Sequence, residues 1–306
     1  MYFFKVFRLV TVLWMLMVFT FIQAQEEDQM LQITVNGVEV HYKVFGEGTP
    51  LLVLHGFPLD HEVMVHAYEP IFKNRDGYMR IYPDFPGMGF SPVDESVTTA
   101  DDILRVMIDF MNELAPDQQY VVAGLSYGGY IAQGMVLKNP DPIAGVMLMA
   151  PVVSPDDENR ELPEPLALVV DPEAVAMVPE GLAPVILSNT VVQTKPVIER
   201  ILTEFGPGFA RINAEFVGQL RQPENYSFSF DVRESDTTYD KPTLILTGRQ
   251  DSTVGFAEAY GVSNLYTRAT YAVLDRAGHG VYMEQDTLFK VLVHEWLDRV
   301  EESMST

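Results

Sequence analysis

The sequence predicts an α/β fold, a mostly parallel sheet covered by helices on both faces and interrupted by a helical insertion. Three observations predict it. Short β-rich runs recur along the chain, and several are apolar throughout, as in strands buried on both faces. Helix-compatible stretches alternate with them, which favours parallel pairing through crossovers. The alternation then breaks at Pro151, and half of the 20 prolines fall between residues 151 and 235. A chain of 306 residues with 47% hydrophobic content can build one substantial core around such an insertion.

Leu31–Val35 and Val38–Tyr42 alternate apolar and polar residues around Asn36-Gly37, the signature of a tight hairpin. Leu51–Leu54 is continuously apolar, and Tyr78–Tyr82 reads as a strand ending at Pro83. Thr98-Thr99-Ala100-Asp101 resembles a capping box, with a helix running on to about Leu114. Gln119–Ala123 and Ile143–Met149 are strands, with a helical stretch, Gly129–Leu137, between them. After the insertion, Thr243–Thr247 and Tyr271–Leu274 restore the strand pattern, and Leu288–Val300 forms an amphipathic final helix. No repeat or low-complexity tract interrupts this order.

The first two dozen residues stand apart. Lys5 and Arg8 precede an uncharged apolar run, Leu9 to Ile22, which ends at Gln23-Ala24-Gln25. That layout describes a secretory signal peptide over residues 1–24, cleaved after Ala24, and hence an exported, periplasmic or extracellular protein. An uncleaved N-terminal anchor is the rival, although the run is shorter than the roughly 20 residues of a full span. The chain has no cysteine, which excludes disulfides and a lipid-modified cysteine. A net charge of −23 repels nucleic acid and anionic membrane surfaces. The histidines are scattered, with no metal-ligand spacing, and Gly87-x-Gly89 lacks the rest of a dinucleotide fingerprint. No cofactor and no metal are expected; the expected partner is a small-molecule substrate.

Chemistry concentrates where strands end. Gly124-Leu125-Ser126-Tyr127-Gly128 lies between a strand and a helix, so the Ser126 hydroxyl stands out at a sharp turn where its neighbours need no Cβ. In an open parallel sheet, ligands bind beyond the carboxyl ends of the strands. His55-Gly56-Phe57-Pro58, Asp84-Phe85-Pro86-Gly87, Gly248-Arg249-Gln250-Asp251 and Gly278-His279 all follow strands as well. A serine, an acid and a histidine thus reach one edge in the order Ser126, Asp251, His279.

These motifs make the chain resemble the α/β-hydrolase superfamily over roughly residues 31–150 and 237–300. The resemblance implies an eight-stranded core domain, residues 25–150 and 237–306, with a cap insertion over 151–236. It is similar to capped serine esterases, enol-lactonases and carbon–carbon bond hydrolases. It implies Ser126 as nucleophile, His279 as general base and Asp251 as the acid that orients it. The backbone N–H groups of Phe57 and Tyr127 would form the oxyanion hole, a role Pro58 lacks the N–H to fill. A serine at this turn argues against dehalogenase or epoxide hydrolase chemistry, which in this superfamily places an aspartate there.

Other readings compete for several residues. Of the six histidines, His41 and His294 suit structural roles, His55 shapes the loop, and His61 and His66 suit the surface better than the pocket. Asp231, Asp236 and Asp240 rival Asp251, while Asp84 and Arg249 brace loops. Phe57, Tyr127, Phe85, Met88, Leu166, Leu168 and Val169 are expected at the pocket, which suits a small or medium apolar ester. The alternatives are a carbon–carbon bond hydrolase or lactonase, then an aminopeptidase with Glu161 or Glu164 holding the amine. A ligand-binding protein without turnover comes last.

Overall fold

The computed structural model describes residues 29–235 and 238–305. The expected signal peptide, residues 1–24, and the rival acid Asp236 lie outside the described residues.

The hairpin forms as its turn dictates. Strand β1 (Leu31–Val35) pairs antiparallel with β2 (Val38–Phe45), with Val35 opposite Val38. Asn36 and Gly37 both take positive φ, 49° and 93°, the backbone twist a two-residue hairpin loop requires. Strands β3 (Thr49–Leu54), β4 (Tyr78–Pro83), β5 (Tyr120–Leu125), β6 (Ile143–Met149), β9 (Thr243–Gly248) and β10 (Ala269–Leu274) complete an eight-stranded sheet. Its order is β1-β2-β4-β3-β5-β6-β9-β10, parallel from β4 to β10. The apolar runs occupy the middle: β5, β6 and β9 are buried along their whole length, whereas every residue of the edge strand β10 is partly exposed.

Helices cover both faces. Helix α1 (Glu62–Phe72) packs on the long final helix, Asp286–Met304, through Tyr68 and Phe289. Helix α1 carries little local signal, because His61 caps it without a side-chain bond and Pro70 lies inside it. Helix α2 (Ala100–Leu114) starts with a full capping box, one residue later than the sequence suggests: Thr99 is the cap and Asp102 its partner. Helix α3 (Tyr127–Lys138) begins two residues earlier than expected, directly after Ser126.

The stretch between β6 and β9 is built differently. Among its described residues are a short parallel pair, β7 (Val169–Val170) and β8 (Val192–Gln193), and a series of short helices. Helix α6 (Lys195–Glu204), the longest of these, follows α4 (Pro172–Val175) and α5 (Ala183–Ser188). The prolines serve as helix starters here, at Pro172, Pro184 and Pro196, each in a first turn where its missing N–H costs nothing.

Candidate active site

Ser126 sits at the junction of β5 and α3 with φ 55° and ψ −115°, a conformation costing a non-glycine residue of order 1–3 kcal/mol. The surroundings hold it there. Its N–H donates to the Met149 carbonyl at 2.9 Å, and its carbonyl accepts from Tyr130 at 3.1 Å and Val152 at 3.0 Å. The flanking glycines are required for space. A Cβ on Gly124 would lie 2.3 Å from the Gly128 carbonyl oxygen, and one on Gly128 would lie 2.4 Å from that of Leu54. Helix, strand β5 and strand β3 therefore meet at a separation that only glycine permits.

The loop after β3 closes on the serine from the other side, where a Cβ on Gly56 would stand 3.3 Å from Ser126 Cβ. His55 shapes this loop as expected. Buried completely, it accepts from the Phe85 N–H through Nε2 at 3.0 Å, so Nδ1 carries the proton and donates to the Gly56 carbonyl at 3.0 Å. Burial lowers its pKa and keeps the ring neutral. Phe57 follows and lines the same cavity as Ser126. Tyr127 opens α3, in the first turn, where backbone N–H groups lack an intrahelical acceptor.

Asp251 and His279 meet as their order along the chain suggested. Nδ1 of His279 lies 2.9 Å from Asp251 Oδ2, while Asp251 Oδ1 accepts from the N–H groups of Thr253 at 2.9 Å and Val254 at 3.0 Å. The carboxylate is fully buried and its rotation is locked, so it holds Nδ1–H and leaves Nε2 as the free, basic nitrogen. His279 and Ser126 line one cavity of about 290 Å³. The rival acids lie elsewhere: Asp231 is bound to Arg233 and Asp240 is exposed beside Lys241.

Other expectations are corrected. His61 is fully buried, neither at the surface nor at the pocket; its Nδ1 lies 2.9 Å from Asp84 Oδ1, and its Nε2 makes an ion-pair contact at 3.3 Å with Glu62, out of line for a hydrogen bond. Burial opposes the charge, but Asp84 and Glu62 outweigh it and raise the pKa to about 9. His66 is exposed, as expected. Phe85 and Met88 are buried in the core rather than at the cavity, and the Tyr127 ring, also fully buried, stacks on Tyr226 at 4.5 Å. Leu166 and Leu168 are 48% and 42% exposed and, like Val169, do not line the cavity; Glu161 and Glu164 are exposed as well.

The cavity wall comes instead from α5, α6 and the turns around them, with Ile186, Ile201, Phe205 and Phe209 facing Leu59 and Met283. Three charged residues at this wall had no signal in the sequence. Arg160 gives its guanidinium to the carbonyls of Ser154, Thr253 and Pro155. Arg221 pairs with Asp157 and lies 4.3 Å over the Tyr226 ring. Glu284 accepts from three backbone N–H groups; burial raises its pKa against their pull. Among the described residues, no cluster of His, Asp and Glu is arranged to hold a metal ion.

A sheet of this order, with a serine turn after one strand and an acid–histidine pair after two others, defines a class of hydrolytic enzymes. The match to the family described as "Alpha/beta hydrolase family" spans residues 51–290, most of the chain, and the protein belongs to that family. The chain is 23% identical over 280 residues to pimeloyl-[acyl-carrier protein] methyl ester esterase of Shewanella woodyi, covering 85% of this chain and 98% of that protein. It is 30% identical to epoxide hydrolase 2 of Siraitia grosvenorii, but over 125 residues only, 38% of that protein's length. An alpha/beta superfamily hydrolase from Oenococcus oeni PSU-1 superposes with a TM-score of 0.80 at 27% identity, covering 89% of this chain and all of the other.

Proposed function

We propose that the protein is a serine hydrolase that cleaves a small or medium carboxylic ester through an acyl-enzyme. The observation that carries this reading is the strained Ser126 turn sharing a cavity with His279, whose other nitrogen rests on buried Asp251. Ser126 Oγ attacks the ester carbonyl while His279 Nε2 takes its proton. The N–H groups of Phe57 and Tyr127 receive the oxyanion, and Asp251 stabilises the imidazolium. The proton passes to the departing alcohol, and water, activated by the same histidine, releases the acid. The similarity to a methyl ester esterase over nearly its whole length supports an ester as substrate.

Residues 151–236 act in this reading as a cap whose apolar side receives the chain of the substrate. The Arg221 end favours an ester that carries a hydrogen-bond acceptor or negative charge away from the scissile bond. Residues 1–24 direct export, so the mature protein would begin at Gln25, which N-terminal sequencing of the exported form checks.

Hydrolysis of p-nitrophenyl esters of graded length by residues 25–306, beside Ser126→Ala, tests the reading. Turnover and fluorophosphonate labelling that both vanish in the variant support it. A folded wild type that neither turns over nor labels overturns it. Labelling without ester turnover keeps the nucleophile and points to the lactonase or carbon–carbon hydrolase alternative.

A further inference from the structure

Glu284 takes no part in the chemistry above, yet it occupies a junction. Its Oε2 accepts from the N–H of Gly278, the residue before His279, at 2.6 Å. Its Oε1 accepts from Val191 at 2.5 Å and Val192 at 2.8 Å, where β8 begins in the 151–235 segment. Although Glu284 lies at the cavity wall, both oxygens are turned to backbone. One carboxylate therefore spans the histidine loop and the segment above it.

The packing around this carboxylate is tight. A Cβ on Gly278 would meet the Asn189 carbonyl oxygen at 2.7 Å, and one on Gly248, at the end of the acid-bearing strand, would meet the Gly278 carbonyl oxygen at 2.2 Å. The acid loop is tied to the same stretch, because Thr253 Oγ1 bonds Asn189 Oδ1 and Ser252 Oγ donates to the Ser188 carbonyl at 3.2 Å. Residues 188–192, the loop of Asp251 and the loop of His279 thus share one hydrogen-bonded knot. Glu284 is its ionic member, and bonds to a charged acceptor are the strong ones.

We infer that Glu284 is a positioning residue that fixes the His279 loop to residues 188–192, so that the base is aimed at Ser126 only while the cap is seated. The inference rests on the serine hydrolase reading. It gives the cap a direct mechanical hold on the general base, beyond its role as a wall of the cavity. A displacement of about 1 Å in such a base costs up to a hundredfold in rate.

Glu284→Gln keeps the shape but has one acceptor oxygen, so its NH₂ must face either Gly278 or the two valines, donor against donor. We expect labelling of Ser126 by a fluorophosphonate, and kcat for a short p-nitrophenyl ester, to fall together by roughly tenfold to a hundredfold. KM should change far less. Hydrogen exchange should quicken at residues 276–280 and 188–193 together and nowhere else. A purely structural role would lower the melting temperature and leave labelling per folded molecule unchanged; that result, or faster exchange in one stretch alone, overturns the inference. Should the variant fail to fold, the wild type decides: the amides of Gly278, Val191 and Val192 must open with a common denaturant dependence, and independent opening overturns the linkage. If the wild type neither labels nor hydrolyses, the hydrolase reading has failed, and the coupled exchange alone then decides whether the two loops are joined.

Discussion

At the scale of single residues, the site depends on places where a side chain is excluded as much as on side chains present. Gly128→Ala would press a methyl group against the Leu54 and His55 carbonyl oxygens at the end of β3, at 2.4 and 2.6 Å, both of them backbone atoms. The expected cost is about 1–3 kcal/mol in chemical denaturation, with slower labelling of Ser126 as the turn shifts. A variant as stable and as reactive as the wild type would refute this account of the motif. Asp251→Asn tests orientation instead of space. The amide oxygen can still accept from Thr253 and Val254, but its NH₂ then meets Nδ1–H of His279 and forces the wrong tautomer. We expect kcat to fall roughly ten-thousandfold with the fold intact, as melting curves and steady-state kinetics will show.

Among elements, the start of α1 carries a buried charge cluster whose pH dependence is readable. His61 is raised to about 9 by Asp84 and Glu62 against the cost of burial, and Glu62 is lowered to about 2 by His61 and by Lys43, which reaches it at 3.0 Å. The histidine's contribution to stability is complete below its ordinary value near 6.5 and is lost as pH rises through 9. The glutamate's is complete above about 4.5 and is lost as pH falls toward 2. The cluster therefore stabilises most between about pH 4.5 and 6.5. Replacing His61 by Gln should cost about 3 kcal/mol at pH 5.5 and clearly less at pH 9.5, measured by urea unfolding. A gap that stays constant across that range would show that folding does not raise the His61 pKa, and a gap that widens with pH would show that the ring is neutral in the folded protein.

For the whole molecule, the question is how the 151–235 segment is held to the sheet. Besides Glu284, one of several ties is Arg211, whose Nε and Nη2 lie 2.8 and 2.7 Å from Oδ2 of the fully buried Asp60, with its guanidinium over Phe90. Arg211→Ala leaves that carboxylate without its cation, at a cost of about 3 kcal/mol. The segment should then be cut by protease before the core unfolds; simultaneous loss of both parts would argue against a separable cap. In the ester hydrolase reading we propose, charge at the cavity wall would set selectivity at the same scale. The chain has 43 acidic and 20 basic residues, yet two arginines reach the cavity. Arg221→Leu should reduce the preference for an acid-bearing ester over a neutral one by roughly tenfold in kcat/KM, the worth of one charge-assisted hydrogen bond. An unchanged ratio would place the substrate's polar end elsewhere.

What the sequence by itself determined is the part governed by local rules. The hairpin at Asn36-Gly37, the buried strands and the strand–serine–helix turn each follow from a few adjacent residues. The meeting of Asp251 and His279 follows from the parallel order of β9 and β10, since loops after neighbouring parallel strands emerge together. Only the tertiary structure decided which residues enclose the cavity. Leu166 and Leu168 look like pocket residues by composition yet point to solvent, while Arg160, Arg221 and Glu284 are held at the cavity by contacts distant in sequence, to Thr253, Asp157 and the Val191–Val192 backbone. Short helices joined by irregular turns carry no period that says which face turns inward. That choice is made by shape and charge complementarity with the sheet edge below.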